Sequence, residues 1–429
     1  MDAGVTIRAV GPSDWRIWRD LRLRMLADAP DAFAKTLDEV RALDDNTWRS
    51  LVAERPTRAV WFAERDGVAV GTALVVIAPD GLRSHLYAMW VAPEARRSGA
   101  ARALVETAQD WARDRGACEL ALEVTSTNTA AIALYRSTGF ADTGRCGQLR
   151  PGSGLLVQTL VARLRTLVMG IVNVTPDSFS DGGWFVDPDA AVAHGLALVG
   201  DGADILDVGG EATNPRATPV TSDEELRRVL PVVERLAAAG ATVSIDTTKA
   251  SVARAAIAAG ARIINDVSGG LFDPDIAEAI GDATYIAGHL RGRSIAEVFR
   301  AEAAAHAALD WQTVADELAA RLAALPAAAR DRAWVDPGLG FGKGPDPEVN
   351  LALLRHSGDL GARLGRPVIV GASRKRFVRR AFRVRDDDIP ALDAASVTAS
   401  LDAIAAGANV VRVHNVALLR AALALYTKQ

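Results

Sequence analysis

Apolar runs of strand length punctuate the later part of this chain, and each one ends on a polar residue. Leu167 to Val172 is continuously apolar, which suits a strand buried on both faces, and Asn173 follows it. The arrangement recurs at Asp207 (ILDVGG), Asp246 (VSIDT), Asn265 and Asp266 (IINDV), His289 (YIAGHLRG), Asp336 (WVDPGLGF), Ser373 (VIVGASRK), and Arg412 with His414 (VVRVH), making eight segments. Helical patterns lie between them. Asp187-Pro188 reads as an N-cap and first helical position, Ser251 as a second N-cap candidate, and Gly240, Gly260 and Gly407 stand where helices would stop. Strand and helix in repetition predict a parallel sheet, and a span of about 250 residues fits a (β/α)8 TIM barrel over residues 165–429. Enzymes of this architecture place their chemistry at the carboxyl ends of the strands, where these polar residues fall.

Residues 1–164 read as a separate α+β domain. A strand at Thr6 to Ala9 and Arg- and Leu-rich helices precede three segments, Val60 to Glu64, Val68 to Ile77 and Ser84 to Val91, with turns at Asp66-Gly67 and Pro79-Asp80-Gly81. That is the pattern of an antiparallel meander. From Val91 the chain passes through Arg96, Arg97, Ser98, Gly99, Ala100 and Ala101 into a helix ending near Arg115. Small residues at a helix start let backbone N–H groups approach a phosphate, and the two arginines add charge. A strand at Glu119 to Val124, then Asn128, a helix carrying Tyr135, and a last strand at Gln158 to Arg163 complete the unit. Almost no linker separates it from the barrel.

Composition narrows the function classes. A chain of 429 residues, 49% hydrophobic, is long enough for two or three domains with large cores. The formal net charge of -4, from 49 basic and 53 acidic residues, creates no field favouring nucleic acid or an anionic membrane. Two cysteines, Cys118 and Cys146, are no disulfide framework and point to a reducing cytoplasm. Neither a signal-type start nor an apolar run of about 18 residues is evident, so no export or membrane span is expected.

The front domain resembles the GNAT superfamily of acetyl-coenzyme A dependent N-acetyltransferases. The carriers are Arg96-x-x-Gly99-x-Ala101, Asn128 and Leu134-Tyr-Arg-x-x-Gly-Phe140, and the likeness covers nearly all of residues 4–163. It implies that the loop from Val91 through Ala101, with Asn128, binds the co-substrate acetyl-CoA, and that Tyr135 protonates the leaving thiolate. On residue type alone Tyr135 also reads, as the lesser alternative, as a packed aromatic. Glu123 reads as a base for the amine or as a solvent-facing acid.

The barrel resembles dihydropteroate synthase, an enzyme family of folate biosynthesis. Gly170-IVNVTPDSFSDGG, Ile205-LDVGGEAT, Ser244-IDT, Ile264-NDVSGG, Asp336-PGLGFGK, Gly371-ASRK and Val411-RVH carry the likeness over residues 167–425. It implies condensation of 6-hydroxymethyl-7,8-dihydropterin diphosphate with 4-aminobenzoate. Asp246, Asn265, Asp336 and Lys375 would hold the pterin, with Asp207 as a further substrate contact. Arg412, His414 and Asn173, the last through Mg2+, would hold the diphosphate. Phe179, Asp181, Thr213 and Pro215 lie on loops that would close over the site and, with Phe341 and Ser373, form the aminobenzoate pocket, the target of sulfonamides. The resemblance also implies a homodimer through the barrel.

Departures from the family pattern leave alternatives open. Asn214 stands where the family has an arginine, with Arg216 two residues on as a substitute; Gly288 replaces a methionine, which would enlarge one wall of the pterin pocket; Asn415 replaces an aspartate. The competing readings are a barrel that has diverged in its acceptor or only binds pterin, and a front domain that is structural or regulatory.

Overall fold

The computed structural model describes residues 4–53, 55–78, 82–175, 187–214, 218–304, 309–344, 346–385 and 387–426. The chain divides into two compact units, Met1–Arg165 and Thr166–Gln429. Each has its own hydrophobic core.

The first unit is built on a sheet of seven strands: β1 (Thr6–Ala9), β2 (Arg58–Arg65), β3 (Val68–Ile77), β4 (Arg83–Val91), β5 (Glu119–Thr125), β6 (Phe140–Gln148) and β7 (Leu156–Arg163). Their order is β1-β2-β3-β4-β5-β7-β6. The expected meander is present, since β2, β3 and β4 pair antiparallel. The turn at residues 79–81 lies outside the described residues. Only β4 and β5 run parallel, and they pair just from Arg83–Glu119 to His85–Ala121. Ala88, at φ +50°, kinks β4 beyond that point, so the two strands part towards their carboxyl ends. Trp15, Trp18, Trp48, Trp61 and Trp90 fill the core.

The second unit is the expected barrel. Its strands are β8 (Leu167–Asn173), β9 (Ile205–Gly209), β10 (Val243–Asp246), β11 (Ile263–Asp266), β12 (Thr284–Gly288), β13 (Trp334–Asp336), β14 (Ile369–Val370) and β15 (Val410–Val413). The order is β13-β12-β11-β10-β9-β8-β15-β14 with every pair parallel. Closure between the two ends of that series rests on a bridge from Val335 to Val368 and on the Val335 amide donating to the Pro367 carbonyl at 2.9 Å. Because the strands are nearly in step, Asp246 lies beside Asn265, and Gly288 beside Asp336.

Helix ends follow the expected chemistry with one exception. Asp187 caps the helix Pro188–Gly200, its carboxylate accepting the Asp189 amide at 3.0 Å. Gly240, Gly260 and Gly407 have φ of +85°, +107° and +106° just past helix ends, a conformation that favours glycine. Ser251 is not an N-cap. The helix Ala250–Ala258 starts one residue earlier, and Asp273, distant in sequence, accepts the Ala250 amide at 2.7 Å. A tertiary carboxylate has replaced the local cap. Replacing Asp273 with alanine should therefore lower the stability of the barrel's urea-unfolding transition by about 1–2 kcal/mol, while Ser251→Ala should change it by less than about 0.5 kcal/mol.

Candidate active site

At the carboxyl ends of the barrel strands opens a cleft of about 240 Å³. The structure brings Asn173, Thr213, Asn214, Asp246, Asn265, Asp336, Phe341, Ser373, Lys375, Arg412 and His414 to its wall. Phe179, Asp181, Pro215 and Arg216 lie outside the described residues.

The floor is a charge cluster centred on Arg412. Its Nε donates to Asp207 Oδ2 at 2.6 Å and its Nη2 to Asp246 Oδ2 at 2.8 Å. Asp207 Oδ2 also accepts from Asn265 Nδ2 at 2.9 Å. Asp207 is wholly buried and does not line the cleft, which corrects its assignment as a substrate contact. One layer below the mouth, it holds Arg412 and Asn265 in place instead. Its other oxygen has no hydrogen-bond partner among the described residues. Arg412, expected to grip phosphate, has Nε and Nη2 engaged with carboxylates; Nη1 makes none of these bonds.

Burial pushes the Asp246 carboxyl up to about 7, Arg412 opposing the shift and Asp207 adding to it. Burial likewise brings the Lys375 ammonium down to about 8 against the pull of Asp336. That ammonium sits 4.4 Å from the centre of the Phe341 ring and donates to the Leu339 carbonyl. Asp336 Oδ1 accepts the Gly338 amide at 2.7 Å and so shapes the glycine-rich loop it begins. Gly338 has φ +68°, and a Cβ there would meet the His289 carbonyl oxygen at 1.8 Å, so only glycine fits. Ser373 Oγ accepts the His414 amide at 3.2 Å and lies 2.9 Å from its Nδ1. Burial holds this imidazole neutral.

Two strand-end residues are structural. Asp266 accepts from the Ser268 amide and hydroxyl, the Gly270 amide and the Tyr285 hydroxyl. His289 is buried, with Nδ1 2.9 Å from Lys343 Nζ and Nε2 3.0 Å from Glu317. Gly288 does not widen the cleft. A Cβ there would come within 2.4 Å of the Val267 carbonyl oxygen, so the missing side chain lets that loop pack against the strand.

Sequence reasoning missed Glu211, which borders the cleft. Its Oε1 accepts the Val220 amide at 3.1 Å and its Oε2 binds Lys249, which also meets the buried Glu225. Glu211 thereby ties together the two ends of the loop carrying Thr213 and Asn214. An acid inside a Gly-Gly-Glu turn was its only local signal. Arg374, which also borders the cleft, was missed as well.

In the first unit the expected anion loop is present, and Arg96 and Ser98 make hydrogen bonds within the unit. Arg96 Nε donates to the Val91 carbonyl at 3.1 Å and its guanidinium pairs with Asp28. Ser98 Oγ donates to the Ala95 carbonyl at 2.7 Å. Arg96 and Ser98 therefore shape the loop, and an anion would meet the backbone from Arg97 (φ +64°) through Gly99 (φ +86°) to Ala100 and Ala101 at the helix start. Asn128 caps the helix Thr129–Ser137, accepting the Ala131 amide at 3.1 Å. Tyr135 is buried 5.6 Å from the Phe140 ring, and burial raises its phenol, which stays protonated near neutrality.

A family model described as pterin binding enzyme matches residues 169–414, and one described as acetyltransferase (GNAT) family matches residues 19–140. The chain belongs to the pterin binding enzyme family. Within it, the barrel is a dihydropteroate synthase, preceded by a GNAT domain. The dihydropteroate synthase of Mycobacterium leprae is 46% identical over 255 residues, 58% of this chain and 88% of that protein. Among solved structures, Xanthomonas albilineans dihydropteroate synthase with 4-aminobenzoic acid is 43% identical, covers 62% of this chain and 94% of its own, and superposes with a TM-score of 0.55. The same enzyme in complex with 7,8-dihydropteroate is 42% identical, covers 62% and 93%, and has a TM-score of 0.52.

The two shifted groups set a pH window. Asp246 accepts hydrogen bonds on both oxygens only when ionised, so kcat/KM for the pterin substrate should rise as pH passes about 7. Lys375 donates as a cation only when protonated, so kcat/KM should fall as pH passes about 8. A rate profile flat from pH 5.5 to 9.5 would contradict both assignments.

Proposed function

We propose that the barrel joins 6-hydroxymethyl-7,8-dihydropterin diphosphate to 4-aminobenzoate, giving 7,8-dihydropteroate and diphosphate. The observation that carries this reading is the convergence of Asp246, Asn265, Asp336 and Lys375 with Arg412, His414 and Asn173 on one cleft. The first four offer donors and acceptors suited to a polar heterocycle. As the bond from the exocyclic carbon to the diphosphate oxygen breaks, its electron pair leaves with diphosphate, and the carboxylates stabilise the positive charge left on the ring. The arylamine nitrogen forms the new bond and then loses a proton. It is neutral and nucleophilic near pH 7, so no strong base is required. Arg412 and His414 supply donors to the departing diphosphate.

Thr213, Phe341 and Ser373 border the same cleft and would form the aminobenzoate side, which a sulfonamide, as an arylamine analogue, would share. Among the described residues no group of three or more His, Cys, Asp or Glu could hold a metal. Asn173 offers one neutral oxygen, a donor set that fits magnesium arriving with diphosphate and keeping most of its waters. Bound there, the metal would neutralise charge on the leaving group. A cytoplasmic location is part of the reading, and a chain of this length with only two cysteines, Cys118 and Cys146, suits a reducing compartment. Among the described residues no helix is long and apolar enough to cross a membrane.

For the first unit we propose transfer of acetyl from acetyl-CoA to an amine, with Tyr135 as proton donor to the thiolate. The parting of β4 and β5 supports it, together with the left-handed loop before the helix Ala100–Asp114.

Purified full-length protein with both barrel substrates and magnesium should form dihydropteroate, and Asp246→Asn should lower kcat/KM by roughly 100-fold or more while leaving the fold intact. No product from folded protein would sink the proposal. With acetyl-CoA and a panel of primary amines, the wild type should release free thiol, and Tyr135→Phe should slow that release about 100-fold with acetyl-CoA affinity retained. Acetyl-CoA binding without turnover of any amine would favour a binding module instead.

A further inference from the structure

The loop after β14 brings Ser373, Arg374 and Lys375 in succession to the cleft. Arg374 has φ +56°, a left-handed conformation that an L side chain enters only when its surroundings require it. Those surroundings are on the helix Ile389–Ala405. Ser396 Oγ accepts the Arg374 amide at 2.9 Å. Three residues earlier, Asp393 accepts from Arg374 Nε at 2.7 Å and Nη2 at 3.0 Å. Positions three apart share a helix face, so one face holds both the backbone and the side chain of Arg374. Asp393 and Ser396 are both buried.

A bidentate pair between guanidinium and carboxylate fixes direction as well as distance. The same carboxylate reaches the next loop, because Asp393 Oδ2 accepts from Asn415 Nδ2 at 3.2 Å. Asn415 follows His414, whose ring and amide meet Ser373. Asp393 does not line the cleft, yet it is joined to both loops that deliver Ser373, Lys375 and His414.

We propose that Asp393 is a positioning residue for the transfer reaction. It holds Arg374 in the turn that aims Ser373 and Lys375, and holds Asn415 in the turn that seats His414. This rests on the dihydropteroate synthase reading of the barrel.

The test uses full-length protein and four variants: Arg374→Met, Asp393→Leu, the double variant of these two, and Asp393→Asn. The double variant removes both members of the pair together, so neither is left facing the other's missing charge. Thermal unfolding, kcat and KM for both substrates, and calorimetric binding of the dihydropterin diphosphate are measured well below each unfolding transition. Both single charge removals and the double variant should lose at least 10-fold in kcat/KM, to a common level within about threefold, since each breaks the same turn. Asp393→Asn, retaining one acceptor oxygen, should lose less. A folded double variant within twofold of wild type in kcat/KM and binding would overturn the proposal and leave the pair a purely structural role. A wild-type chain that neither turns over nor binds the pterin substrate would overturn the barrel reading itself, and the proposal with it.

Discussion

Arg412 lies between two carboxylates at the base of the cleft, and the rest of the site depends on how that charge is balanced. Burying an ion pair gains little over an apolar core, and removing one partner of such a pair is costly because it strands the other. Here one guanidinium meets two acids, so the cluster is short of positive charge. Burial pushes the Asp246 carboxyl up to about 7, with Asp207 adding to the shift against Arg412, and among the described residues the fully buried Asp207 beneath it keeps one oxygen without a partner. Such a floor attracts N–H donors and rewards any positive charge that develops above it. A ring that becomes cationic as its leaving group departs fits that description.

The barrel was legible in the sequence because its strands, buried on both faces, read as unbroken apolar runs, and because each run stops on a polar residue. Which of those residues face the cleft was less legible. Asn265 and Asp266 are neighbours of similar polarity, yet one lines the site and the other is enclosed by a turn and by Tyr285. His289 resembles His414 in the sequence, but it faces Lys343 and Glu317. Successive strand residues point to opposite faces, so one step in position decides the role. Partners far apart in the chain were not legible at all. Asp273 capping Ala250 and Asp393 gripping Arg374 both depend on contacts that only folding creates.

The first unit shows the same division in another form. Its loop of small residues and arginines was visible, and the left-handed turn at Gly99 follows from the glycine. The destination of Arg96 was not visible, because Asp28 is 68 residues away in the chain. A positive charge that seemed directed at a ligand is used to brace the loop.

The barrel's closing seam is its thinnest joint. Strands of three and two residues meet there through a single bridge and a neighbouring hydrogen bond. Asp336 ends the strand on one side of the seam, and the loop bearing Ser373 and Lys375 follows the strand on the other. A ligand held by Asp336 and Lys375 together therefore spans the gap like a rivet across a split ring. Binding would suppress the local opening to which so short a pairing is prone, and recognition of such a ligand would become part of what keeps the cylinder shut.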